Sequence, residues 1–317
     1  MTSMLLLLLA ASSGLTLHLT PEQNEILVGE PLRLNLTWHV TRTLQLPAEV
    51  GAGSWSYDYL EIWANGPGGR RQYREAAAAL EDRVIVSSPT PAGSQCVSEL
   101  LLFYGYGADA RERPEFLFPA PGTYTLMVRY PDDKNPAESN TVTVRVKEPE
   151  GGDRAVLEAL KNDPFDIKLG GPMTKALLEK HPDSHYLRLA KITRYRDRES
   201  RLRERRDPET GAPLANVSSE ELGALVKDLS RRMTADLKQE KDWGAWEDVR
   251  LGMLVEHAKR GDDAEDAAAA KRELFERFPK SRVADHIRDR EAKDLEDEYD
   301  EEDGEEPRPQ PTPKPKQ

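Results

Sequence analysis

Cysteine is almost absent from this sequence, and its scarcity excludes several kinds of protein. The 317 residues include one cysteine, Cys96. A single thiol cannot supply an internal disulfide framework, a zinc site built from cysteines or an iron–sulfur cluster. Because a cysteine without such a role behaves as a small hydrophobic residue, we expect Cys96 to be buried rather than reactive.

Long hydrophobic runs are also missing. Residues 4–11 form an apolar run of eight, whereas a helix that crosses a bilayer needs about 20 apolar residues. The small residues Ser12, Ser13 and Gly14 follow the run, so we predict a signal peptide over residues 1–14, although no Lys or Arg precedes it. The protein would then be exported to the periplasm or the extracellular space, without a transmembrane segment after signal removal. The alternatives are a mis-assigned start and a buried first strand.

Positive charge is in deficit. Lys and Arg number 45 against 57 Asp and Glu, and the formal net charge is -12. A general nucleic-acid binder needs a basic surface to neutralise phosphates, so the charge disfavours this class and no nucleic-acid partner is predicted.

Motifs of the common catalytic sites are absent too. The sequence contains no G-x-S-x-G, Walker A, G-x-G-x-x-G or H-E-x-x-H. The glycines from Gly66 to Gly69 lack the Lys-Ser/Thr of a phosphate loop and are typical of a hairpin loop. His181 and His185 are four residues apart, but Pro182 would break the helix that must place both on one face. We therefore predict a protein that is not an enzyme, with no catalytic, metal-binding or cofactor-binding residues and no cofactor.

Alternation of apolar and polar residues fills the first half of the chain. Leu32, Leu34, Leu36 and Trp38 share one face of a strand, with Arg33 on the other. The same period recurs, and turn residues separate the segments, at 15–19, 25–28, 59–63, 83–87, 96–104, 124–130 and 142–146. This pattern predicts an antiparallel β-sandwich over residues 15–148.

Two turns carry a family resemblance. The segment from Phe118 to Leu126 resembles the turn that enters the penultimate strand of immunoglobulin-like domains, with Tyr124 as the corner tyrosine and Gly122 in the turn. The segment from Val28 to Leu32 resembles the turn before the second strand of bacterial immunoglobulin-like modules. The resemblance implies an immunoglobulin-like sandwich, a fold that hosts many binding roles.

The period changes to that of a helix after a Pro/Gly linker at residues 149–152. Residues 153–290 are predicted to be helical, and Ser218 with Glu221 has the spacing of a capping box. The stretches 177–187 and 274–284 align without gaps, and both place Pro and Ser between two helices, at Pro182 and Ser184 and at Pro279 and Ser281.

Both stretches resemble the hairpin turn of tetratricopeptide-like repeats in bacterial envelope proteins. The segment from His257 to Ala264 resembles the Gly-Asp-x-Ala link between successive repeats. Residues 194–215 and the pair Trp243 and Trp246 match no repeat position. The resemblance implies a degenerate helical-repeat domain that binds other proteins on a concave surface. The predicted fold class is thus multidomain, β then α.

Three aromatic residues form the first candidate contact site. Trp55, Tyr57 and Tyr59 alternate and would share one face of an extended segment, where they could stack on sugars or contact a partner. The alternative is that they are core residues of a strand.

A basic helix forms the second candidate site. Residues 188–206 contain nine basic and three acidic residues. The structural alternative is a solvated helix beyond Tyr195 with pairs such as Asp197 with Arg201 and Glu199 with Arg203. The functional alternative is a site for an anionic partner: lipid head groups, a cell-wall polymer or the chain's own acidic and Pro-rich tail, which is predicted to be disordered over residues 291–317. The candidate contact residues are Arg194, Arg196, Arg198, Arg201, Arg203, Arg205 and Arg206.

These features favour a non-enzymatic protein-binding or scaffolding component of the bacterial cell envelope, whose partner is another protein. The alternative is a carbohydrate-binding or cell-wall-binding accessory protein that uses the aromatic row. A divergent enzyme with a site assembled from scattered residues is a third possibility.

Overall fold

A computed structural model describes residues 14–47, 59–75, 87–106, 115–132, 134, 136–164, 166, 171–215, 217–240 and 243–302. Strands occupy the N-terminal half and helices the C-terminal half, so the predicted order, β then α, is confirmed. The chain divides into two units. The first comprises residues up to Gly223 together with Asp242–Trp246, and the second comprises Ala224–Lys241 and residues from Glu247 onward. The predicted boundary at residues 149–152 therefore does not separate the two units.

The segments predicted from alternation contain strands of the first unit, except that residues 83–86 of the predicted segment 83–87 lie outside the described residues. The strands are β1 (Leu15–Pro21), β2 (Glu25–Leu27), β3 (Leu32–Val40), β4 (Leu44–Pro47), β5 (Glu61–Gly66), β6 (Gly69–Glu75), β7 (Ser87–Thr90), β8 (Gln95–Leu102), β9 (Tyr104–Tyr106), β10 (Glu115–Phe116), β11 (Gly122–Tyr130), β12 (Ala137–Glu138) and β13 (Val142–Lys147).

These strands form two main sheets with one shared core. The first sheet has the order β1-β3-β8, and the second has the order β10-β9-β6-β5-β11-β13-β2, with β12 pairing beside β11. β4 and β7 make a separate pair. Among the described ladders only β13 with β2 is parallel, an exception to the predicted antiparallel pattern. One hydrophobic cluster takes alternate residues from both sheets, including Leu34 of β3 and Val144 of β13.

Two of the predicted turns form as expected. The hydroxyl of Tyr124 donates a hydrogen bond to the carbonyl of Ala120 at 3.0 Å, which is the corner contact predicted for this tyrosine. Gly66 and Gly69 pair across the hairpin of β5 and β6. Gly69 has a φ of +90°, a conformation that glycine adopts without steric cost.

Seven helices follow in the described part of the chain. They are α1 (Gly151–Leu160), α2 (Pro172–Lys180), α3 (Arg188–Arg203), α4 (Ser219–Gln239), α5 (Glu247–Arg260), α6 (Ala264–Arg277) and α7 (Arg282–Glu302). Short 3₁₀ helices cover His185–Leu187 and Gly244–Trp246. No helix in this part of the chain combines the length and apolarity needed to cross a bilayer.

The first helices share the core of the sheets. Val156, Leu157 and Leu160 of α1 belong to the same hydrophobic cluster as the strands, as does the fully buried Tyr186. The Tyr186 hydroxyl donates a hydrogen bond to the backbone carbonyl of Val28 in the turn before β3. These helices thus pack on the sheets within one unit.

A buried arginine fastens a distant segment to the first sheet. Arg33 of β3 is 1% exposed, and its Nη2 lies 2.8 Å from Oε2 of Glu99. Its Nη1 donates a hydrogen bond to the carbonyl of Ala245, and its guanidinium lies 4.7 Å from the centre of the Trp246 ring. Trp243 packs near Tyr195 of α3, with 6.4 Å between ring centres. The two tryptophans that match no repeat position are therefore anchors within the first unit.

The two stretches aligned in sequence form the same turn. α2 and α6 end before His181 and Phe278, whose φ and ψ angles are -135° and 56° and -131° and 52°, respectively. Each of these residues donates its N–H to a leucine carbonyl four residues earlier at 2.8 Å. Ser281 then caps α7 by accepting the Ala284 N–H at 3.1 Å. The local signals thus specify the same helix end twice. The predicted serine cap forms only at Ser281, because the Ser184 hydroxyl donates to Asp153 instead and a short 3₁₀ helix follows it.

The last described helix of the second unit, α7, is longer than predicted. α7 continues to Glu302, so residues 291–302 are helical, whereas residues 303–317 of the predicted tail lie outside the described residues. Glu291 accepts hydrogen bonds from Lys259 at 3.1 Å and from Lys271 at 3.0 Å, which fastens this part of α7 to its neighbours. The predicted disordered tail is corrected accordingly.

Candidate functional site

The predicted aromatic row is described in part. Trp55 and Tyr57 lie outside the described residues, as does the predicted signal peptide apart from Gly14. Tyr59 is half-buried and packs against the hydrophobic core of the sheets. Cys96 is half-buried and packs against the same core.

The basic helix α3 packs along most of its length. Ala190, Ile192 and Tyr195 are buried, and so is Leu202 near its end. The predicted solvated stretch beyond Tyr195 is therefore shorter, because residues 204–215 turn back beside the helix. In this turn Leu214 donates its N–H to the Arg205 carbonyl at 2.8 Å.

The seven predicted arginines divide into two groups. Arg198 pairs with Glu209 at 2.8 Å, and Arg201 pairs with Asp197 at 2.7 Å, as predicted. Arg205 and Arg206 donate to backbone carbonyls of the following turn. The remaining three have no hydrogen bond or ion pair within the described residues; they are Arg194, Arg196 and Arg203.

A cavity brings three of these arginines together. Its volume is about 480 Å³, and it lies between one face of α2, from Thr174 to Glu179, and one face of α3, from Ala190 to Arg201. Pro208 and Glu209 of the returning turn line its end. On each helix the lining residues recur three or four positions apart, and side chains at this spacing share one face of a helix. We call this space the α2–α3 cavity.

Charged side chains line this cavity in two different states. The pairs of Arg198 and Arg201 described above hold those cations in place, and Arg201 also donates to the Pro208 carbonyl at 3.3 Å. Lys175, Glu179 and Arg194 also line the cavity. No ion pair or side-chain hydrogen bond engages these three within the described part of the chain, so they are open to a ligand.

A buried hydroxyl lies in the lining of the same cavity. Thr174 is 1% exposed, and its Oγ1 has no hydrogen-bond partner among the described residues. Its backbone N–H is engaged separately by Oδ1 of Asp166 at 2.7 Å. A buried hydroxyl without a partner is unfavourable, because it has lost water and gained nothing in exchange. A ligand in the cavity could supply that partner.

A second polar cluster, outside the lining of the α2–α3 cavity, belongs to the first unit. Asp153 accepts hydrogen bonds from the Ser184 hydroxyl at 2.6 Å and the His185 N–H at 2.9 Å, and its Oδ2 lies 3.3 Å from Nδ1 of His185. Glu30 accepts the Leu27 N–H at 2.7 Å. These groups engage one another, which favours a structural role.

The pKa values in this cluster follow from its contacts. Burial raises the pKa of Glu30, against the lowering effects of the Leu27 N–H and of the charges of His185 and Arg188. The hydrogen bond with Asp153 raises the pKa of His185, against its burial. Burial also raises the pKa of Asp153, but its hydrogen bonds with His185 and Ser184 outweigh this and hold it below its ordinary value.

An outward-facing tryptophan forms a separate surface on the second sheet. Trp63 of β5 is half-exposed, and the guanidinium of Arg70 lies 4.3 Å from the centre of its ring. Asn65, Thr125 and these two residues line a shallow cavity of about 330 Å³. We call this the Trp63 surface.

The sequence analysis did not identify several residues of the α2–α3 cavity and of the Trp63 surface. Thr174, Lys175 and Glu179 share a helical face just before the predicted hairpin turn, and that spacing was the available signal. Trp63 was seen only as part of an alternating strand, although alternation already placed it opposite Ile62. Of the cavity lining, only the three arginines were predicted, because they belong to the basic run of α3.

Comparisons with known proteins identify no family. No protein-family model matches the chain, and no curated protein matches its sequence. Solved structures similar to part of it include a β-glucosidase from Erythrobacter marinus, 18% identical with a TM-score of 0.22, covering 41% of this chain and 15% of that chain. A β-glucosidase from Listeria innocua is 12% identical with a TM-score of 0.21, covering 41% and 16%.

Spo0M, a sporulation control protein from Bacillus subtilis, is 11% identical with a TM-score of 0.26, covering 47% of this chain and 55% of that chain. The matched regions thus span about half or less of these structures. Likeness at these TM-scores establishes neither a family nor an activity.

Proposed function

We propose that this chain is an exported, non-enzymatic protein-binding or scaffolding component of the bacterial cell envelope, and that the α2–α3 cavity contacts its partner. The observation that carries this proposal is the set of charged groups in that cavity, Lys175, Glu179 and Arg194, which have no partner within the described residues. A volume of about 480 Å³ lies within the roughly 300–1,000 Å³ of ligand-binding cavities.

Local geometry supports the two module types behind this proposal. The hydrogen bond of Tyr124 with Ala120 supports an immunoglobulin-like sandwich. The matching turns at His181 and Phe278 support a degenerate tetratricopeptide-like arrangement of the helices. Both module types commonly act by binding, and the apolar run at residues 4–11 supports export.

A cross-linked pull-down from the native host tests this function. The tagged full-length chain is compared with the double variant Lys175→Glu and Arg194→Glu, which reverses two cavity charges. The matched control is Lys180→Glu and Arg203→Glu, which makes the same charge change at exposed positions of the same two helices, outside the cavity lining.

We expect envelope proteins that are captured by the full-length chain and by the control variant, and lost with the cavity variant. Equal capture by all three chains, or capture of cytoplasmic proteins alone, would contradict the proposal. Point variants are preferred to deletion of the helices, because Val156, Leu157 and Tyr186 belong to the core of the sandwich.

The Trp63 surface favours the alternative, a carbohydrate-binding or cell-wall-binding accessory protein. An indole surrounded by amide, hydroxyl and guanidinium groups offers the contacts that sugars use. Sedimentation with isolated cell wall tests it. Binding that is lost in Trp63→Ala and retained in Tyr59→Ala would support this function, and binding unaffected by Trp63→Ala would exclude this surface.

A further inference from the structure

The shape of the α2–α3 cavity limits what its occupant can be. Its α3 side runs from Ala190 to Arg201, which is about 16 Å at the rise of a helix. An extended peptide advances about 3.3 Å per residue, so this length matches about five residues. Leu178, Ala190 and Pro208 give the lining apolar contacts between the charged groups.

The charges of the lining narrow the occupant further. Arg198 and Arg201 are committed to Glu209 and Asp197. Two cations and one anion remain without partners in the described residues, namely Lys175, Arg194 and Glu179. A complementary ligand therefore carries two carboxylates and one ammonium or guanidinium group.

The Thr174 hydroxyl adds a hydrogen-bonding group to the lining. This hydroxyl is buried, and no group in the described part of the chain pairs with it. Both groups of a peptide bond, an N–H and a carbonyl, can pair with a hydroxyl, which donates and accepts. A peptide backbone along the cavity would thus supply a partner for a hydroxyl that the described residues leave unpaired.

We propose that the α2–α3 cavity binds an extended segment of a partner protein, about five residues long, with two acidic side chains and one basic side chain. This inference rests on the proposed function and specifies the partner's segment. The carboxylates face Lys175 and Arg194, the basic side chain faces Glu179, and Thr174 pairs with the backbone of the segment.

Fluorescence anisotropy with defined peptides tests this proposal. The probe is fluorescein-labelled Asp-Leu-Lys-Leu-Glu with an amidated C-terminus, and the comparison peptide is Lys-Leu-Glu-Leu-Lys with the opposite charges. We expect the full-length chain to prefer the first peptide by about tenfold or more, with a preference that weakens as salt rises.

Charge exchange supplies the decisive arm. In the triple variant Lys175→Glu, Glu179→Lys and Arg194→Glu the preference between the two peptides should reverse. The control variant Lys180→Glu and Arg203→Glu should keep its affinity within about twofold, because exposed charges outside the site act only through a screened field.

The hydroxyl is tested by a pair of isosteric changes. Thr174→Val should weaken binding of the first peptide by about fivefold, in line with the loss of one hydrogen bond. Thr234→Val is the matched control, since Thr234 is also buried with an unpartnered hydroxyl but lines a different cavity. Circular dichroism of each variant confirms that it is folded.

Several outcomes would overturn the proposal: equal affinity for the two peptides, equal loss in the cavity and control variants, or no binding of either. Binding of anionic vesicles or of a cell-wall stem tripeptide in place of the first peptide would also overturn it. If the peptides fail while the pull-down still depends on Lys175 and Arg194, the proposed function stands and only the segment is wrong. If the pull-down also does not depend on Lys175 and Arg194, both the proposed function and the proposed segment are wrong.

Discussion

Replacing Arg33 by alanine should strongly destabilise the first unit. The change removes the ion pair with Glu99, the hydrogen bond to Ala245 and the stacking on Trp246. It also leaves the Glu99 carboxylate without this partner in a site where its side chain is 25% exposed. Breaking a buried pair by removing one partner costs about 3–5 kcal/mol, and the partial exposure of Glu99 favours the lower end, about 3 kcal/mol.

A matched control separates burial from pairing. Arg71 and Glu115 form an ion pair at the same 2.8 Å, but these side chains are 42% and 61% exposed. Water already solvates both charges there, so Arg71→Ala should cost less than about 1 kcal/mol. If distance alone mattered, Arg33→Ala and Arg71→Ala would lower the free energy of unfolding equally. Because burial differs, we expect the two losses to differ by about 2 kcal/mol or more.

Guanidinium chloride unfolding, followed by tryptophan fluorescence, gives the free energy of unfolding of both variants. Calorimetry gives their Tm. For a unit of this size, a loss of about 3 kcal/mol corresponds to a fall in Tm of roughly 6–12 °C. Emission from Trp246 should also shift to longer wavelength in Arg33→Ala, because the guanidinium no longer covers the ring. Equal losses in the two variants, or a loss below about 1 kcal/mol at Arg33, would falsify the reasoning.

Three further predictions concern single contacts. Tyr124→Phe removes the hydrogen bond to Ala120 and should lower the free energy of unfolding by about 1 kcal/mol in chemical denaturation; no change would mean that the corner contact is not stabilising. Ser281→Ala removes the cap of α7 and should cost the second unit about 1 kcal/mol, with hydrogen exchange rising in the first turn of α7 rather than elsewhere. The pKa of His185 is raised in the folded protein, so its protonation stabilises the fold fully below its ordinary pKa of 6.5, and this stabilisation is lost as pH rises through the folded pKa. The difference in Tm between the unchanged chain and His185→Gln should therefore be larger at pH 6 than at pH 8.5. A difference that does not depend on pH would contradict the pair with Asp153.

Local signals in the sequence predicted the features that depend on neighbouring residues. The capping box forms as expected, with Glu221 donating its N–H to the Ser218 hydroxyl at 3.2 Å and accepting the Ser218 N–H at 2.8 Å. Tyr124 and the turn before Ser281 also follow from a few adjacent residues. Each of these structures is determined by hydrogen bonds across three or four positions, which a sequence pattern displays directly.

Contacts between distant residues could not be predicted in this way. Alternation placed Arg33 on the polar face of its strand, and the structure buries it because Ala245, 212 residues later, covers that position. The α2–α3 cavity was only partly foreseen for the same reason. Charge identified Arg194, but Thr174 and Lys175 join it only through the packing of two helices, which a single sequence does not specify.

The return of residues 242–246 to the first unit has a consequence for how the protein is made. The chain leaves that unit after Gly223, contributes residues 224–241 to the second, and comes back before leaving again at Glu247. A ribosome must therefore deliver Trp243 and Trp246 before the unit begun at the N-terminus is complete, although part of the second unit has by then emerged. No single cut in the chain separates the two units. A truncated gene product that ends near residue 223 would therefore expose the Arg33 site and be a target for proteases and chaperones.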